Sequence, residues 1–326
     1  MRIIDGLEAM RTEAVGSTGA SVVIGTFDGV HLGHRRLIEA GVGRARAGGW
    51  VPICVTWDRH PTQTLAPAMV PPLITPFARR QELVAALGLE ALVVLAFDEA
   101  FTTWSPERFV TEVLVEGLGA RAVGVGKGFR FGHRAAGDTA LLERLGEREG
   151  FRVEAEDLLE VGGSPVSSTR VRAAIAAGDL AEVKRLLGRP WDLDGVVLRG
   201  DRRGTSLGYP TANIGLAPSL AQPPSGVYAG RARTGGAWFT AAVNVGINPT
   251  FASETPIHPR LEAYLIGFSG DLYGRPVRVE LWERLRDELR FASAEDLVAQ
   301  ISRDVLATRK VVEGSPMGST PRDLLL

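Results

Sequence analysis

Through the first half of the chain, short apolar runs alternate with longer segments whose apolar residues recur about every 3.6 positions. In order they read SVVIGT from Ser21, HRRLIEAGVGRARA, VPICVTW, PFARRQELVAALG, LEALVVLAF, PERFVTEVLVEGLG, RAVGVG, TALLERLGEREG and FRVEAED, ending near Asp157. Strand-length apolar runs that each lead into a helix-length amphipathic segment form right-handed βαβ units on a parallel sheet. The predicted fold is therefore a doubly wound, Rossmann-like α/β domain. Ligands of such sheets sit beyond the carboxyl ends of the strands, which directs attention to the loops after Thr26, Trp57 and Gly126.

Two further helices are predicted in RVRAAIAAG and LAEVKRLLG, and Gly188, Pro190 and Trp191 then mark a break. From Gly195 to about Trp282 the pattern changes to strand-like runs, DGVVLRG, GVYAGRART, WFTAAVNVG, RLEAYLIGF and VRVELWER, parted by Gly, Pro, Asn and Asp. No helical periodicity lies between them, so a small antiparallel barrel or sandwich is expected. A last amphipathic helix starts after Ser293, which with Asp296 three residues on makes a variant of the capping box. The expected division is a first domain over 1–187, a second over 188–313, and a flexible tail over 314–326.

The length of 326 residues suits two cores. Charge is nearly balanced, with 37 Lys and Arg against 38 Asp and Glu, so no broad field favours nucleic acid or an anionic membrane. Any phosphate binding must then be local. The single cysteine, Cys54, sits inside an apolar run and reads as a small buried hydrophobe rather than a reactive thiol. The charged N-terminus MRIIDGLEAMRTE has no signal-peptide character, and the apolar run near Ala91 to Phe97 is far too short to span a bilayer. A cytoplasmic protein with small-molecule substrates is expected, without nucleic-acid or membrane partners, as a monomer or weak homo-oligomer.

The first chemical constellation is Gly25 to His34, GTFDGVHLGH, between the SVVIGT strand and a helix. Glycines at 25, 29 and 33 let backbone approach a ligand, and the helix start aims N–H groups and partial positive charge at it. Neither the P-loop pattern nor a dinucleotide glycine fingerprint is present here. A histidine pair alone is often structural. After a first βαβ strand, however, H-x-G-H resembles the motif of the nucleotidyltransferase superfamily, which transfers AMP from ATP. Its second signature corresponds to Ser167–Arg172, SSTRVR, where hydroxyls and a guanidinium would hold the leaving pyrophosphate, with helix capping by Ser168 or Thr169 as the plainer role. Adenylyl transfer needs no protein nucleophile, so His31 and His34 are assigned as donors to phosphate oxygens. Gly25, Thr26, Phe27, Asp28, Gly33, Ser168, Thr169 and Arg172 are the expected ATP-binding residues beside them.

The second constellation lies in Gly200–Asn213, GDRRGTSLGYPTAN. Pro-Thr-Ala-Asn alone could be a plain turn, but a hydroxyl and an amide oxygen two residues apart in extended chain can serve a hard cation such as Mg2+. Downstream come PPSGVYAG, NVGINPTF, RLEAYLIGF, GDLYG and RLRDELRF. With the N-terminal motifs, and in this order from about Ser21 to Val312, they resemble the bifunctional bacterial riboflavin kinase and FMN adenylyltransferase family, also called FAD synthetases. The resemblance implies an N-terminal nucleotidyltransferase domain adenylating FMN to FAD and a C-terminal β-barrel kinase phosphorylating riboflavin to FMN, each with Mg-ATP. It further implies that Gly204, Thr211 and Asn213 bind ATP, that Thr211 and Asn213 hold the metal, and that Glu262 is the base for the flavin ribityl hydroxyl. Asp58, His60, Phe129 and Arg286 are flavin candidates, with a loop role for His60 and an ion pair with Asp287 or Glu288 for Arg286 as the competing readings.

The chain departs from the family pattern at Gly128 before Phe129, where Asp or Asn is usual, at Trp57 and Arg59, where Phe and Pro are usual, and at Gly267, commonly Asp. These positions affect flavin contacts more than ATP contacts. Three competing readings remain open: a single-activity adenylyltransferase, a non-catalytic flavin or nucleotide sensor, and adenylylation of another substrate such as pantetheine phosphate or nicotinamide nucleotide. The last would leave the β domain unexplained.

Overall fold

The computed structural model of the chain describes residues 1–200, 204, 207–246 and 260–314. Contacts divide it into two compact units, one of Met1–Pro71 and Phe77–Ser167, the other of Pro72–Pro76 and the chain from Ser168 onward. The first unit is built on six parallel strands, β1 (Arg2–Asp5), β2 (Ala20–Ile24), β3 (Val51–Trp57), β4 (Ala91–Leu95), β5 (Ala120–Gly126) and β6 (Arg152–Glu156). Their spatial order is β1-β4-β3-β2-β5-β6, so β3 and β4 follow outward from β2 on one side and β5 and β6 on the other, with β1 at the edge beyond β4. Its helices are α1 (Gly6–Thr12), α2 (Leu32–Gly48), α3 (Thr62–Leu65), α4 (Phe77–Ala85), α5 (Glu99–Thr102), α6 (Pro106–Phe109) and α7 (Thr139–Glu149), and a small hairpin, β7 (Glu160–Val161) with β8 (Ser164–Pro165), closes the unit.

Alternation along each strand separates two core layers. Val22 and Ile24 of β2 join Ile53 and Val55 of β3 and Val93 and Leu95 of β4 on one face. Val23, Cys54, Leu92 and Val94 face the other way, against Leu37 and Ile38 of α2 and Leu83 and Val84 of α4. A sheet covered on both faces needs apolar side chains at every position, which is why these strands read as continuous apolar runs. Cys54 is fully buried among them, and burial pushes its thiol far above the ordinary range, in keeping with a packing role.

Two features escaped the sequence pattern. The sheet begins at β1, well before Ser21, and β1 pairs with β4 at the sheet edge. Only Ile4 of its four residues is buried, too short a pattern to register as a strand. The helix expected from Pro106 starts as α6 but continues in wider π-type turns over Val110–Val115.

In the second unit, α8 (Ser168–Ala177) and α9 (Leu180–Leu187) precede β9 (Trp191–Leu198), β10 (Ala212–Gly215), β11 (Gly226–Thr234), β12 (Ala237–Gly246), β13 (Arg260–Leu265) and β14 (Pro276–Arg286), followed by α10 (Ala294–Glu313). The strands close as β10-β13-β12-β11-β14-β9, every pairing antiparallel, which decides for a barrel over a sandwich. Closure leaves no sheet edge to pair with another chain. β9 starts at Trp191, four residues before Gly195, because Trp191 is buried and its indole N–H donates to the Ile74 carbonyl at 2.9 Å. Residues 315–326 of the expected tail lie outside the described residues. Among the described residues, no helix is long and apolar enough to cross a membrane.

Ser293 caps α10 as the pattern predicts, its hydroxyl accepting from the Asp296 N–H at 3.1 Å. Ser293→Ala should cost about 1 kcal/mol, the usual value of such a cap, read as a lower denaturation midpoint for the barrel unit at unchanged slope.

Candidate functional site

The segment Gly25–His34 leaves the carboxyl end of β2, the strand at which the sheet order reverses and beside which open α/β sheets bind ligands. Its backbone turns sharply. Phe27, Gly29 and Val30 all have positive φ, at 52°, 83° and 40°. For a bulky aromatic and a β-branched residue this is strained geometry, typically about 1–3 kcal/mol each. Both side chains are almost fully buried against α2 and α4, a gain of about 1.5–3 kcal/mol per side chain that offsets the strain.

His31 ends the turn as the N-cap of α2, and its Nδ1 accepts the His34 N–H at 3.2 Å. Accepting at Nδ1 leaves the Nε2 edge of the His31 ring as its donor side. The rings of His31 and His34 stack with centroids 3.6 Å apart and planes 16° from parallel, and Phe27 meets the His34 ring edge-on at 5.3 Å. The two histidines are thus one rigid unit at a helix start, where partial positive charge and N–H donors suit an anion. A Cβ on Gly33 would stand 3.2–3.3 Å from the His31 ring and 3.6 Å from the Val166 carbonyl. The chain just ahead of Ser167 therefore runs alongside the histidine turn. Ser168 opens α8, Thr169 follows it, and Arg172 donates from Nε to the Pro72 carbonyl at 2.7 Å.

The sequence reading missed Arg80 of α4. It is 6% exposed, and its guanidinium donates to the Thr26 carbonyl at 2.6 Å and the Trp57 carbonyl at 3.0 Å, tying together the exits of β2 and β3. Burial lowers its pKa, and the nearby Asp28 carboxylate opposes that shift. Its only sequence signal is an arginine on the apolar face of an amphipathic helix.

The flavin candidates of this unit hold local structure. Asp58 accepts from Phe97 N–H at 2.9 Å and from Arg59 at 2.7 and 2.9 Å. Burial pushes its carboxyl up, but these hydrogen bonds outweigh burial and hold it below the usual carboxylate range. His60 Nδ1 lies 2.7 Å from Thr62 Oγ1 and accepts the Thr62 N–H at 3.3 Å, the loop arrangement anticipated for it. Phe129 stacks on Phe131, with centroids 5.4 Å apart, and Gly128 beside it faces open space.

In the barrel, strand register produces a polar row. Asn213 of β10 lies directly opposite Glu262 of β13, and Glu262 lies opposite Asn244 of β12. Their chain neighbours Ala212, Ile214, Leu261, Ala263, Val243 and Val245 are all buried, so these three polar residues share the opposite, outer face. Asn244, the second residue missed, donates to Glu288 Oε1 at 3.4 Å. Thr211 is exposed immediately before β10. A Cβ on Gly204 would clash with the Tyr209 carbonyl at 2.3 Å, so glycine is needed for this close approach to Tyr209, while Thr211 Oγ1 would stand at an ordinary 3.5 Å. Arg286 is engaged by the 6%-exposed Asp304 of α10, with bonds of 2.7–3.1 Å, and donates to the Asp287 carbonyl at 2.8 Å. Its carboxylate partner is Asp304, rather than the Asp287 or Glu288 side chain expected from sequence proximity.

An anion-suited turn at the switch point of an α/β sheet, and a carboxylate flanked by amides on a closed barrel, define a two-domain nucleotide-using enzyme. Comparison makes this specific. The family model for FAD synthetase matches residues 15–170, and that for riboflavin kinase matches residues 187–312. The bifunctional riboflavin kinase/FMN adenylyltransferase of Pseudomonas fluorescens is 37% identical over 97% of this chain and 99% of its own. The protein of that name from Escherichia coli K12 is 33% identical over 95% of this chain and 97% of its own. A crystal structure from Streptococcus pneumoniae, described as a macrolide-efflux protein, shares 29% identity with a TM-score of 0.83, covering 95% of this chain and 99% of that one. The chain belongs to the bifunctional riboflavin kinase/FMN adenylyltransferase family and is an enzyme with both domains.

Gly33→Ala tests the packing of the histidine turn. Alanine suits a helix better than glycine by about 1 kcal/mol, yet its methyl would displace the His31 ring. The thermal midpoint should hold or rise while FAD formation falls about tenfold or more, a cost of about 1.4 kcal/mol in transition-state binding.

Proposed function

We propose that the chain makes flavin cofactors in two ATP-dependent steps, with riboflavin phosphorylated on the barrel and the FMN product adenylylated at the turn after β2. The functional division follows residues 1–187 and 188–313, with 314–326 as a tail. For the second step, an FMN phosphate oxygen attacks the α-phosphorus of ATP and pyrophosphate leaves. His31 and His34, with the N–H groups opening α2, donate to phosphate oxygens as charge shifts toward the leaving group. Gly25, Thr26, Phe27, Asp28 and Gly33 line this subsite, and Ser168, Thr169 and Arg172 serve the pyrophosphate. The observation that carries the reading is the cap-held His31 stacked on His34 at the sheet's switch point.

For the first step, Glu262 accepts the proton of the ribityl hydroxyl, whose oxygen attacks the γ-phosphorus as ADP leaves. Thr211 and Asn213 offer oxygen donors beside it, with no imidazole or thiolate. That set fits Mg2+, which keeps most of its shell for water and phosphate oxygens. The bound ion would neutralise charge on the transferred phosphoryl group. Asp58, His60 and Phe129 are proposed beside FMN in the first unit, and Arg286 beside riboflavin in the second, acting through the segment that Asp304 anchors. The substrates are small molecules, the balanced charge gives no broad field for nucleic acid or an anionic membrane, and the protein is proposed to work in the cytoplasm as a monomer or weak homo-oligomer.

Purified protein is incubated with Mg-ATP and riboflavin, or with Mg-ATP and FMN, and the flavins are resolved. FMN and FAD should form in the first mixture and FAD in the second. His34→Ala should cut FAD formation on the order of 10²-fold or more while riboflavin phosphorylation continues. Glu262→Gln should do the reverse, by about 10²–10⁴-fold. Loss of both activities in either folded variant would contradict two separate sites, and no conversion by the wild-type protein would leave a sensor.

A further inference from the structure

The geometry points to Arg80 as the residue that positions the phosphate-binding turn for adenylyl transfer, acting through the backbone at Thr26. This role rests on the reading of Gly25–His34 as the ATP-phosphate subsite. A guanidinium buried to 6% exposure carries a large desolvation cost, and a well-packed apolar side chain at the same place would often be no less stable. Its two hydrogen bonds go to main-chain oxygens at the exits of two neighbouring strands. A packing role alone would not need that choice of partners.

The peptide geometry shows what the choice accomplishes. The Thr26–Phe27 peptide is planar and trans, so drawing the Thr26 carbonyl toward Arg80 turns the Phe27 N–H the opposite way, away from α4. Phe27 is the first left-handed residue of the turn, so the orientation of this plane sets the start of the whole strained path to His31. The second bond does the same at β3: its carbonyl partner is Trp57, and the N–H of the next residue, Asp58, pairs with the Leu95 carbonyl at 3.0 Å. The Asp28 carboxylate, two residues past Thr26 and 2% exposed, lies near the guanidinium and opposes the effect of its burial. Phe77 backs it, with its ring centroid 4.6 Å from the guanidinium carbon. Arg80 is thus fixed from both sides and in turn fixes the plane from which the turn departs. A donor aligned in advance contributes most where charge develops in the transition state, so its loss should act on kcat more than on KM.

The test measures FMN adenylylation and riboflavin phosphorylation on one preparation of wild type, Arg80→Met, Arg80→Lys and His34→Ala, together with the thermal midpoint. Arg80→Met keeps length without charge, while Arg80→Lys keeps charge but loses the fork that spans two carbonyls. Arg80→Met should lower kcat for FAD formation on the order of 10²-fold, as for loss of an aligned oxyanion donor, with KM for ATP changed less than about threefold and phosphorylation retained. Arg80→Lys should recover part of that kcat. Unchanged kcat, a loss confined to KM, or no gain of Arg80→Lys over Arg80→Met would overturn the proposal. If Arg80→Met fails to fold, the division between kcat and KM in Arg80→Lys decides alone. FAD formation retained in His34→Ala would instead overturn the phosphate-subsite reading, whereas its loss there with normal Arg80 variants would remove only the role of Arg80.

Discussion

The backbone at Phe27 and Val30 is the constraint on which the first unit is organised. Neither residue belongs in a left-handed conformation, and neither would stay there in a free peptide. Their side chains are held in the layer between the sheet and helices α2 and α4, and Arg80 holds the carbonyl just before them. The strain is thereby offset by burial at a distance from the atoms that would meet ligand. The reward is a short, stiff path from β2 into α2 that delivers two stacked histidines and a helix N-terminus to one spot.

The barrel reaches a comparable result by other means. Its polar row needs no strained turn, because directly opposed residues on adjacent antiparallel strands already point to one face at close spacing. Asn213, Glu262 and Asn244 become neighbours through register alone. Closure of the sheet makes that register hard to change, since slipping one strand would move its buried residues out of the core. The Arg286–Asp304 pair then fastens α10 to the end of β14, next to Glu288, which accepts from Asn244.

Shared fold and shared description need not agree. The Streptococcus pneumoniae structure is described as an efflux protein, yet its architecture matches this chain over nearly its whole length. What this likeness carries is architecture. The family assignment rests on the two domain matches and on relatives aligned over nearly the whole chain.

Much of the architecture was legible because it depends on local periodicity. Runs such as VPICVTW and amphipathic segments such as TALLERLGEREG specify their own elements, and Ser293 marked its helix end through a cap that needs only three neighbouring residues. The histidine turn was legible for the same reason, since glycines and histidines at fixed spacing between a strand and a helix are a local pattern. β1 was not, because one buried residue in four makes no pattern, and closure of the barrel depends on β9 and β10 meeting across the intervening loop. Arg80 and Asn244 escaped because their partners are 23 to 54 and 44 residues away, while the choice of Asp304 over Asp287 for Arg286 depends on how α10 docks. The orientation of the His31 ring is of this second kind too, since its Nδ1 faces the His34 N–H. Sequence alone determined most of the order of elements and the chemistry available, whereas tertiary packing decided which groups meet, because that depends on distances that no local pattern encodes.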